Sequence, residues 1–104
     1  MLFRSGVRVI MATLTSALNA TNGRHGTAAV EAKRKAFNEF VRTAGIFDGV
    51  VDFDAATLDP ATGELKVEFQ PNSSIGGAGD KLHPNRLGYQ AMGNAVDLKM
   101  VMGK

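Results

Sequence analysis

Two short runs rich in β-branched and apolar residues constrain the fold of this chain more than any other feature. They are residues 7–12 (VRVIMA) and 50–53 (VVDF). Each is too short for a typical helix, and such runs are typical of strands that are covered on both faces in a parallel sheet. The segment between them, residues 28–44, has helical periodicity. This order predicts a strand–helix–strand unit, in which two parallel strands are joined by a right-handed crossover.

The predicted crossover helix carries an apolar stripe and a charged face. Thr27 is a candidate cap at its start, and Gly45 is a candidate stop. The charged run 33–35 (KRK) is interpreted as a solvated helix face rather than a binding patch. The apolar residues that recur at helical spacing, with Phe40 beside them, are Val30, Phe37, Val41 and Ala44.

The remainder of the chain is a long connection followed by a closing helix. Residues 54–79 are rich in turn-forming residues, and within them Leu65, Val67 and Phe69 alternate with charged residues. That alternation predicts a short edge strand or an extended segment. A helix is predicted from Asn85, which can cap it, to about Met102.

This set of elements makes an incomplete α/β domain. Two parallel strands leave open sheet edges and a poorly covered face, whereas parallel strands normally lie inside larger sheets. We therefore predict the last two βα units of a larger α/β domain, with a βαβ–loop–α order and an incomplete sheet. We expect the isolated chain to be aggregated, dimeric or poorly folded, with association through the exposed sheet edges.

Composition excludes several classes of function. The 104 residues are enough for one small domain, and 44% hydrophobic with 21% charged residues is typical of a globular protein. A net charge of +2 and a single tyrosine argue against nucleic-acid binding. The chain has no cysteine, and no apolar run is long enough to cross a membrane. The N-terminus resembles a signal peptide weakly, but Arg8 interrupts its apolar part and favours a buried strand.

Asp80 and His83 are the candidate catalytic residues, and they lie three positions apart just before the closing helix. A histidine acting as general base needs one free ring nitrogen, and its other N–H must be held by an acceptor that fixes the tautomer. Asp80 can supply that acceptor from the same loop. Pro84 restricts the backbone of His83. A bare Asp-x-x-His pair is more often a surface pair without a catalytic role, so the surrounding sequence decides the interpretation.

Residues 79–89 (GDKLHPNRLGY) resemble the last block of SGNH hydrolases, also called GDSL esterases and lipases, in which Asp-x-x-His-Pro precedes the C-terminal helix. The resemblance covers nearly the whole chain and implies the C-terminal part of a flavodoxin-like, three-layer fold. Its further segments are 7–15, 36–42 (AFNEFVR), 47–54 (FDGVVDFD) and 58–60 (LDP).

The resemblance implies that His83 is the general base that deprotonates a serine and that Asp80 orients it. It carries over no nucleophile, because the sequence contains no Gly-Asp-Ser and no Gly-x-Asn-Asp block. None of the four serines lies in a Gly-Asp-Ser motif; they are Ser5, Ser16, Ser73 and Ser74. Residues 1–104 are therefore interpreted as a partial domain that lacks the N-terminal blocks.

The resulting functional hypothesis is the acid–base part of a serine ester hydrolase that acts on carboxylic, short acyl or acetyl esters of a small molecule or carbohydrate. We predict that the chain alone is not a competent esterase, because a general base acts only on a positioned nucleophile. The alternative is a non-catalytic interaction protein or pseudoenzyme derived from the same fold.

The weaker signals are given structural interpretations. Asp52, Asp54 and Asp59 lack the glycine and terminal glutamate of a calcium loop, so we interpret them as ordinary loop acids. Asp52 and Asp54 can also pair with nearby basic residues. His25 has no ligand pattern around it and is predicted to be exposed. No metal or cofactor is expected. The glycosylation triplets at Asn19 and Asn72 are compatible with chance, and the compartment is not determined by the sequence.

Overall fold

The structure, a computed structural model, describes residues 6–103. Its strands are β1 (Ile10–Ala12) and β2 (Gly49–Val51). Its α-helices are α1 (Ala28–Thr43), α2 (Phe53–Thr57), α3 (Arg86–Asn94) and α4 (Leu98–Met102), and a 3₁₀ helix spans Val67–Phe69. No helix within residues 6–103 has the length and apolar character that a bilayer crossing requires.

The two strands pair in parallel, with Ile10 opposite Gly49 and Ala12 opposite Val51. Helix α1 connects them, so the predicted βαβ unit is confirmed. Both strands are shorter than the sequence indicates, at three residues each. β2 ends before Asp52 because the carboxylate of Asp52 accepts a hydrogen bond from the backbone N–H of Ala55 and begins α2 at Phe53.

Helix α1 has nearly the predicted bounds, but of the predicted apolar stripe only Val41 is buried, and the phenylalanines are not. Thr27 caps the helix by accepting a hydrogen bond from the backbone N–H of Val30, while the side chains of Phe37 and Phe40 are exposed. The buried stripe is mainly polar and consists of Glu31, Arg34, Asn38 and Val41. The interpretation of residues 33–35 as a solvated face is therefore wrong for Arg34, although both flanking lysines are exposed.

The C-terminal half departs from the predicted elements in two places. Val67–Phe69 forms a 3₁₀ helix and not a strand, and the only strand-like pairing in this connection is an isolated antiparallel bridge between Leu58 and Leu65. The predicted closing helix is broken into α3 and α4. The break follows from Asp97, whose side chain accepts hydrogen bonds from the backbone N–H groups of Lys99 and Met100 and so starts a new helix.

The interior of this chain is small for its length. The radius of gyration is 15.0 Å, against about 13 Å expected for a compact domain of this size. Large apolar side chains on several elements remain exposed, among them Leu14 after β1, Phe40 on α1, and Leu98 and Met102 on α4. Among residues 6–103 the buried apolar side chains are Ala20, Val41, Val51, Leu65 and Phe69. The predicted incomplete α/β architecture with parallel strands is confirmed.

Candidate active site

The side chains of Asp80 and His83 lie together in the loop that precedes α3. Asp80 Oδ2 is 2.7 Å from His83 Nδ1. The other carboxylate oxygen, Oδ1, accepts hydrogen bonds from the backbone N–H groups of Leu82 and His83, at 3.0 and 2.9 Å. Asp80 therefore fixes both the backbone turn and the imidazole ring, and the structure brings the predicted pair into contact.

The turn uses two left-handed backbone positions. Gly79 has φ +84°, and a Cβ atom at this position would overlap the carbonyl group of Gln70. Only glycine fits such a position without displacing the Gln70 backbone. Lys81 also has positive φ, at 59°, and its Nζ atom lies 3.2 Å from Oε1 of Glu64. The ion pair ties the outer side of the turn to the preceding connection.

The turn is also joined to the loop that follows β1. The carbonyl oxygen of Asp80 accepts a hydrogen bond of 3.0 Å from the backbone N–H of Thr21. That loop, residues 13–27, leaves the carboxyl end of β1. In open α/β sheets, ligands bind outside the carboxyl ends of the strands, so the Asp80–His83 pair belongs to the region where this class of fold places its sites.

Asn85 and Gly88 give the pair a rigid base on α3. The Asn85 side chain caps α3 by accepting a hydrogen bond from the Gly88 N–H, and its Nδ2 donates to the carbonyl oxygens of Glu68 and Pro71. Gly88 is buried, and a Cβ atom there would lie 2.6 Å from Pro84 Cβ. The helix start is thus locked to the 67–71 segment on one side and to the proline that follows His83 on the other.

The electrostatics of the pair suit a proton acceptor. Burial of the Asp80 carboxyl raises its pKa, but the backbone N–H and the ring of His83, together with the N–H of Leu82, outweigh burial and lower the pKa to about 2. Asp80 is therefore ionised at neutral pH and can accept a hydrogen bond from a proton on His83 Nδ1. The His83 side chain is 48% exposed, and no group among residues 6–103 hydrogen-bonds its Nε2. A neutral His83 thus presents an unprotonated Nε2 to solvent.

The described residues do not supply a nucleophile to this nitrogen. Ser16 is buried, and its hydroxyl donates a hydrogen bond of 2.6 Å to the carbonyl of Gly63. Ser73 and Ser74 lie beside the start of α3, and neither hydrogen-bonds His83. Ser5 lies outside the described residues.

The acidic residues that follow β2 are held by arginines. Asp52 receives two hydrogen bonds from the Arg42 guanidinium, at 2.9 and 3.0 Å, and this contact with Arg42 is the main reason that the pKa of Asp52 falls to about 2. Asp54 lies 2.7 Å from Arg34. Within residues 6–103 no three His, Asp or Glu side chains converge as candidate metal ligands. The predicted pairing of Asp52 and Asp54 with nearby basic residues is confirmed, but Asp54 lies within α2 and Asp52 is its N-cap, so neither is an ordinary loop acid.

The buried polar stripe of α1 was missed by the sequence analysis, although it has a role near the site. Asn38 accepts a hydrogen bond from the Leu14 N–H and donates one to the Leu14 carbonyl, which fixes the start of the loop that leaves β1. Arg34 donates to the same carbonyl oxygen at 2.9 Å. The one signal in the sequence was the spacing of Arg34 and Asn38, which are four positions apart and lie on the same helix face as Val41.

Comparison with known proteins identifies the fold but no family. No protein-family model matches the chain, and no curated protein matches it significantly. Among solved structures, the chain is similar to a Bacteroides fragilis protein described as a "putative acylhydrolase", with a TM-score of 0.58 and 21% sequence identity. The match covers 98% of this chain and 46% of that protein, so the chain spans less than half of its neighbour's length.

At this level of identity the similarity concerns the fold alone. Its coverage nevertheless includes nearly all the elements described above, from β1 to α4. The parallel strand pair, the helices and the open sheet all agree with a portion of a larger α/β protein. The chain therefore has an α/β fold that resembles part of that larger protein.

Proposed function

We propose that residues 1–104 are the C-terminal part of an SGNH/GDSL-type serine ester hydrolase and that they supply its catalytic aspartate and histidine. The observation that carries the proposal is the 2.7 Å contact between Asp80 Oδ2 and His83 Nδ1, beside an Nε2 that faces solvent. The acylhydrolase-like fold supports the class of reaction, and the segment 79–89 supports the family.

In this proposal the described residues move protons during acyl transfer. His83 Nε2 accepts the proton of a serine hydroxyl as the serine oxygen attacks the acyl carbon, and it then gives that proton to the departing alcohol. In the second half-reaction, His83 takes a proton from the water that attacks the acyl-serine, and it returns that proton to the serine oxygen as the bond to the acyl group breaks and the carboxylic acid leaves. Asp80 stays ionised throughout and stabilises the imidazolium.

The serine and the oxyanion-binding groups would come from outside this sequence. The sequence contains neither Gly-Asp-Ser nor Gly-x-Asn-Asp, and its match to the Bacteroides fragilis structure leaves more than half of that structure uncovered. A missing segment would add strands beside the open sheet and place its serine against His83. The substrate is accordingly a carboxylic or acetyl ester of a small molecule or carbohydrate.

Two linked experiments test this proposal. The coding sequence upstream of residue 1 should contain a Gly-Asp-Ser block in the same reading frame, and the protein that includes it should react with a fluorophosphonate probe. In that longer protein, His83→Ala should slow probe labelling and ester hydrolysis by at least about 100-fold, since general-base catalysis is worth about 10²–10⁴ in rate. His25→Ala is the matched control, because His25 is exposed in a separate loop.

Three outcomes would contradict the proposal. An upstream sequence without the serine block would favour a non-catalytic protein derived from this fold. Equal activity of the His83→Ala and His25→Ala variants would remove His83 from the reaction. Specific labelling of residues 1–104 alone, lost in His83→Ala, would show that the nucleophile lies within this chain.

A further inference from the structure

The Glu64 carboxylate joins the turn that carries the Asp80–His83 pair to the loop that follows β1. Its Oε1 atom lies 3.2 Å from Lys81 Nζ, and its Oε2 atom accepts a hydrogen bond of 2.7 Å from Asn19 Nδ2. The Glu64 side chain is only 17% exposed, and each of its two oxygens has a partner. The proton transfers proposed above do not use this residue.

The two residues that Glu64 contacts share an unfavourable backbone conformation. Asn19 has φ +62° and Lys81 has φ +59°, and Asn72 is the third non-glycine residue with positive φ among residues 6–103. This left-handed conformation costs free energy in any residue that has a Cβ atom, and asparagine tolerates it better than lysine does. Lys81 therefore depends on contacts with other residues to keep its conformation.

The backbone of Lys81 lies between Asp80 and the groups that Asp80 holds. The N–H groups of Leu82 and His83, which follow Lys81 directly, both donate to Asp80 Oδ1. A change in the φ angle of Lys81 would turn these N–H groups away from Oδ1. The same turn places Asp80 Oδ2 against His83 Nδ1, so the conformation of Lys81 controls the contact between the two proposed catalytic side chains.

The Asn19 side of the contact also reaches Asp80. Thr21, two positions after Asn19, donates its backbone N–H to the Asp80 carbonyl oxygen at 3.0 Å. The hydrogen bond from Asn19, with a smaller contribution from Lys81, lowers the pKa of the Glu64 carboxyl against the opposing effect of burial. Glu64 is therefore ionised at neutral pH and holds both segments that meet at Asp80.

We propose that Glu64 is a positioning residue for the Asp80–His83 pair. Its carboxylate holds Asn19 and Lys81 together and so maintains the left-handed turn in which Asp80 contacts His83 Nδ1. A partly exposed ion pair contributes little to global stability, but a small contribution is enough to select one backbone conformation of Lys81. The inference rests on the proposed function in one respect, since the turn that Glu64 holds is catalytic only if the chain is part of an ester hydrolase.

The readout is the ratio of the Nδ1–H form to the Nε2–H form of neutral His83, measured by ¹⁵N NMR of the 104-residue protein. Glu64→Gln removes the charge that faces Lys81 and should lower this ratio by about threefold, within the range that such an ion pair can shift an equilibrium. Lys81→Met removes the same ion pair from its more exposed end and should lower the ratio by a similar factor. Glu39→Gln is the matched control, because Glu39 is exposed on α1 and takes part in no ion pair within residues 6–103.

Lys81→Gly distinguishes positioning from a general effect on stability. Glycine adopts positive φ without the cost that lysine bears, so Lys81→Gly should keep the ratio close to that of the parent protein. Adding Glu64→Gln to Lys81→Gly should then change the ratio very little. The proposal is overturned if Glu64→Gln behaves like Glu39→Gln, if Lys81→Gly lowers the ratio as much as Lys81→Met, or if Glu64→Gln lowers it equally with and without Lys81→Gly.

The tautomer ratio separates this inference from the proposed function, because it requires neither a nucleophile nor a substrate. Glu64 can therefore be established as a positioning residue even if the hydrolase proposal fails. Conversely, loss of ester hydrolysis in His83→Ala of the longer protein, together with an unchanged ratio in Glu64→Gln, would leave the hydrolase proposal intact and remove the role of Glu64.

Discussion

Arg34 Nη1 on α1 lies 2.7 Å from Asp54 Oδ1 on α2, and both side chains are less than a tenth exposed. Arg34 also makes two hydrogen bonds to Glu31, at 2.7 and 2.8 Å. This contact is the main reason that the pKa of Arg34 is raised. One buried guanidinium thus contacts two buried carboxylates and the Leu14 carbonyl, and Asp54 has a second cationic partner in Arg42. This ion network joins α1 to both segments that leave the carboxyl ends of the strands.

The first prediction concerns the cost of removing this guanidinium. Arg34→Met should lower the free energy of unfolding by about 3–5 kcal/mol, because Glu31 is left as a buried charge without its partner and Asp54 keeps only its contact with Arg42. Lys35→Met, a change of the same kind at the exposed neighbouring residue, should stay within about 0.5 kcal/mol of the parent. Urea unfolding at one fixed protein concentration measures both. Similar values for the two variants would mean that the Arg34 network does not stabilise the fold.

The second prediction uses two glycines of the same helix. Gly88→Ala should destabilise the protein by about 1–3 kcal/mol, since the new Cβ would lie 2.6 Å from Pro84 Cβ and 3.2 Å from Phe69 Cβ. Gly93→Ala meets nothing within 4 Å and should stabilise the protein by up to about 1 kcal/mol through helix propensity. Thermal unfolding compares the pair. A stabilising Gly88→Ala would contradict the close packing of α3 on Pro84 and Phe69.

The third prediction concerns the loss of folding stability at acid pH. The pKa values of Asp80 and Asp52 fall from an ordinary value of 3.8 to about 2 in the folded protein. A lowered folded-state pKa contributes stability that is complete above the unfolded value and is lost as the pH falls through the folded value. We therefore expect the free energy of unfolding to decline between about pH 4 and pH 2.

Asp80→Asn separates the two carboxylates in this pH window. The variant should show a shallower decline, and not a flat one, because Asp52 keeps its bonds to Arg42. Denaturant unfolding at several pH values between 2 and 5 provides the measurement. An unchanged slope in Asp80→Asn would show that Asp80 is not stabilised by its contacts in the turn.

The fourth prediction is self-association of the isolated chain. Phe37, Phe40 and Ile46 are exposed at the end of α1 and in the turn that follows, and the sheet has open edges. Sedimentation velocity should show dimers or larger species. Phe37→Glu should raise the dissociation constant about tenfold, equivalent to a loss of about 1.4 kcal/mol of binding energy. Ala36→Glu, an exposed site with the same change of charge, is the control. A sharp melting transition of a pure monomer would contradict this account.

The sequence predicted the features that depend on local patterns. The caps at Thr27 and Asn85, the bounds of α1 and the parallel strands follow from residue type and spacing. The Asp80–His83 contact was expected from a motif in which the two residues share one turn. The caps and the Asp80–His83 contact involve residues within a few positions of each other. The parallel strand pair follows from the rule that a strand–helix–strand connection is almost always a right-handed crossover.

The features that were missed depend on contacts between distant residues. Arg34 and Asn38 are buried because Asp54 and the Leu14 backbone meet them, 20 and 24 positions away along the chain. The same applies to Asn85, whose amide satisfies two carbonyl groups of the 67–71 segment. A helical wheel of α1 favours the phenylalanine face as the buried one, because that face is the most apolar. The wheel cannot show which face of the helix packs against the rest of the chain.

The contact with Asp80 should hold neutral His83 in the tautomer of a general base. ¹⁵N NMR of the two imidazoles in their neutral form reads out which ring nitrogen carries the proton. We expect neutral His83 to carry its proton on Nδ1 and to leave Nε2 unprotonated, and we expect Asp80→Asn to abolish this preference. His25 should show the ordinary Nε2–H form in both proteins. A wild-type His83 with its proton on Nε2, like His25, would contradict the account.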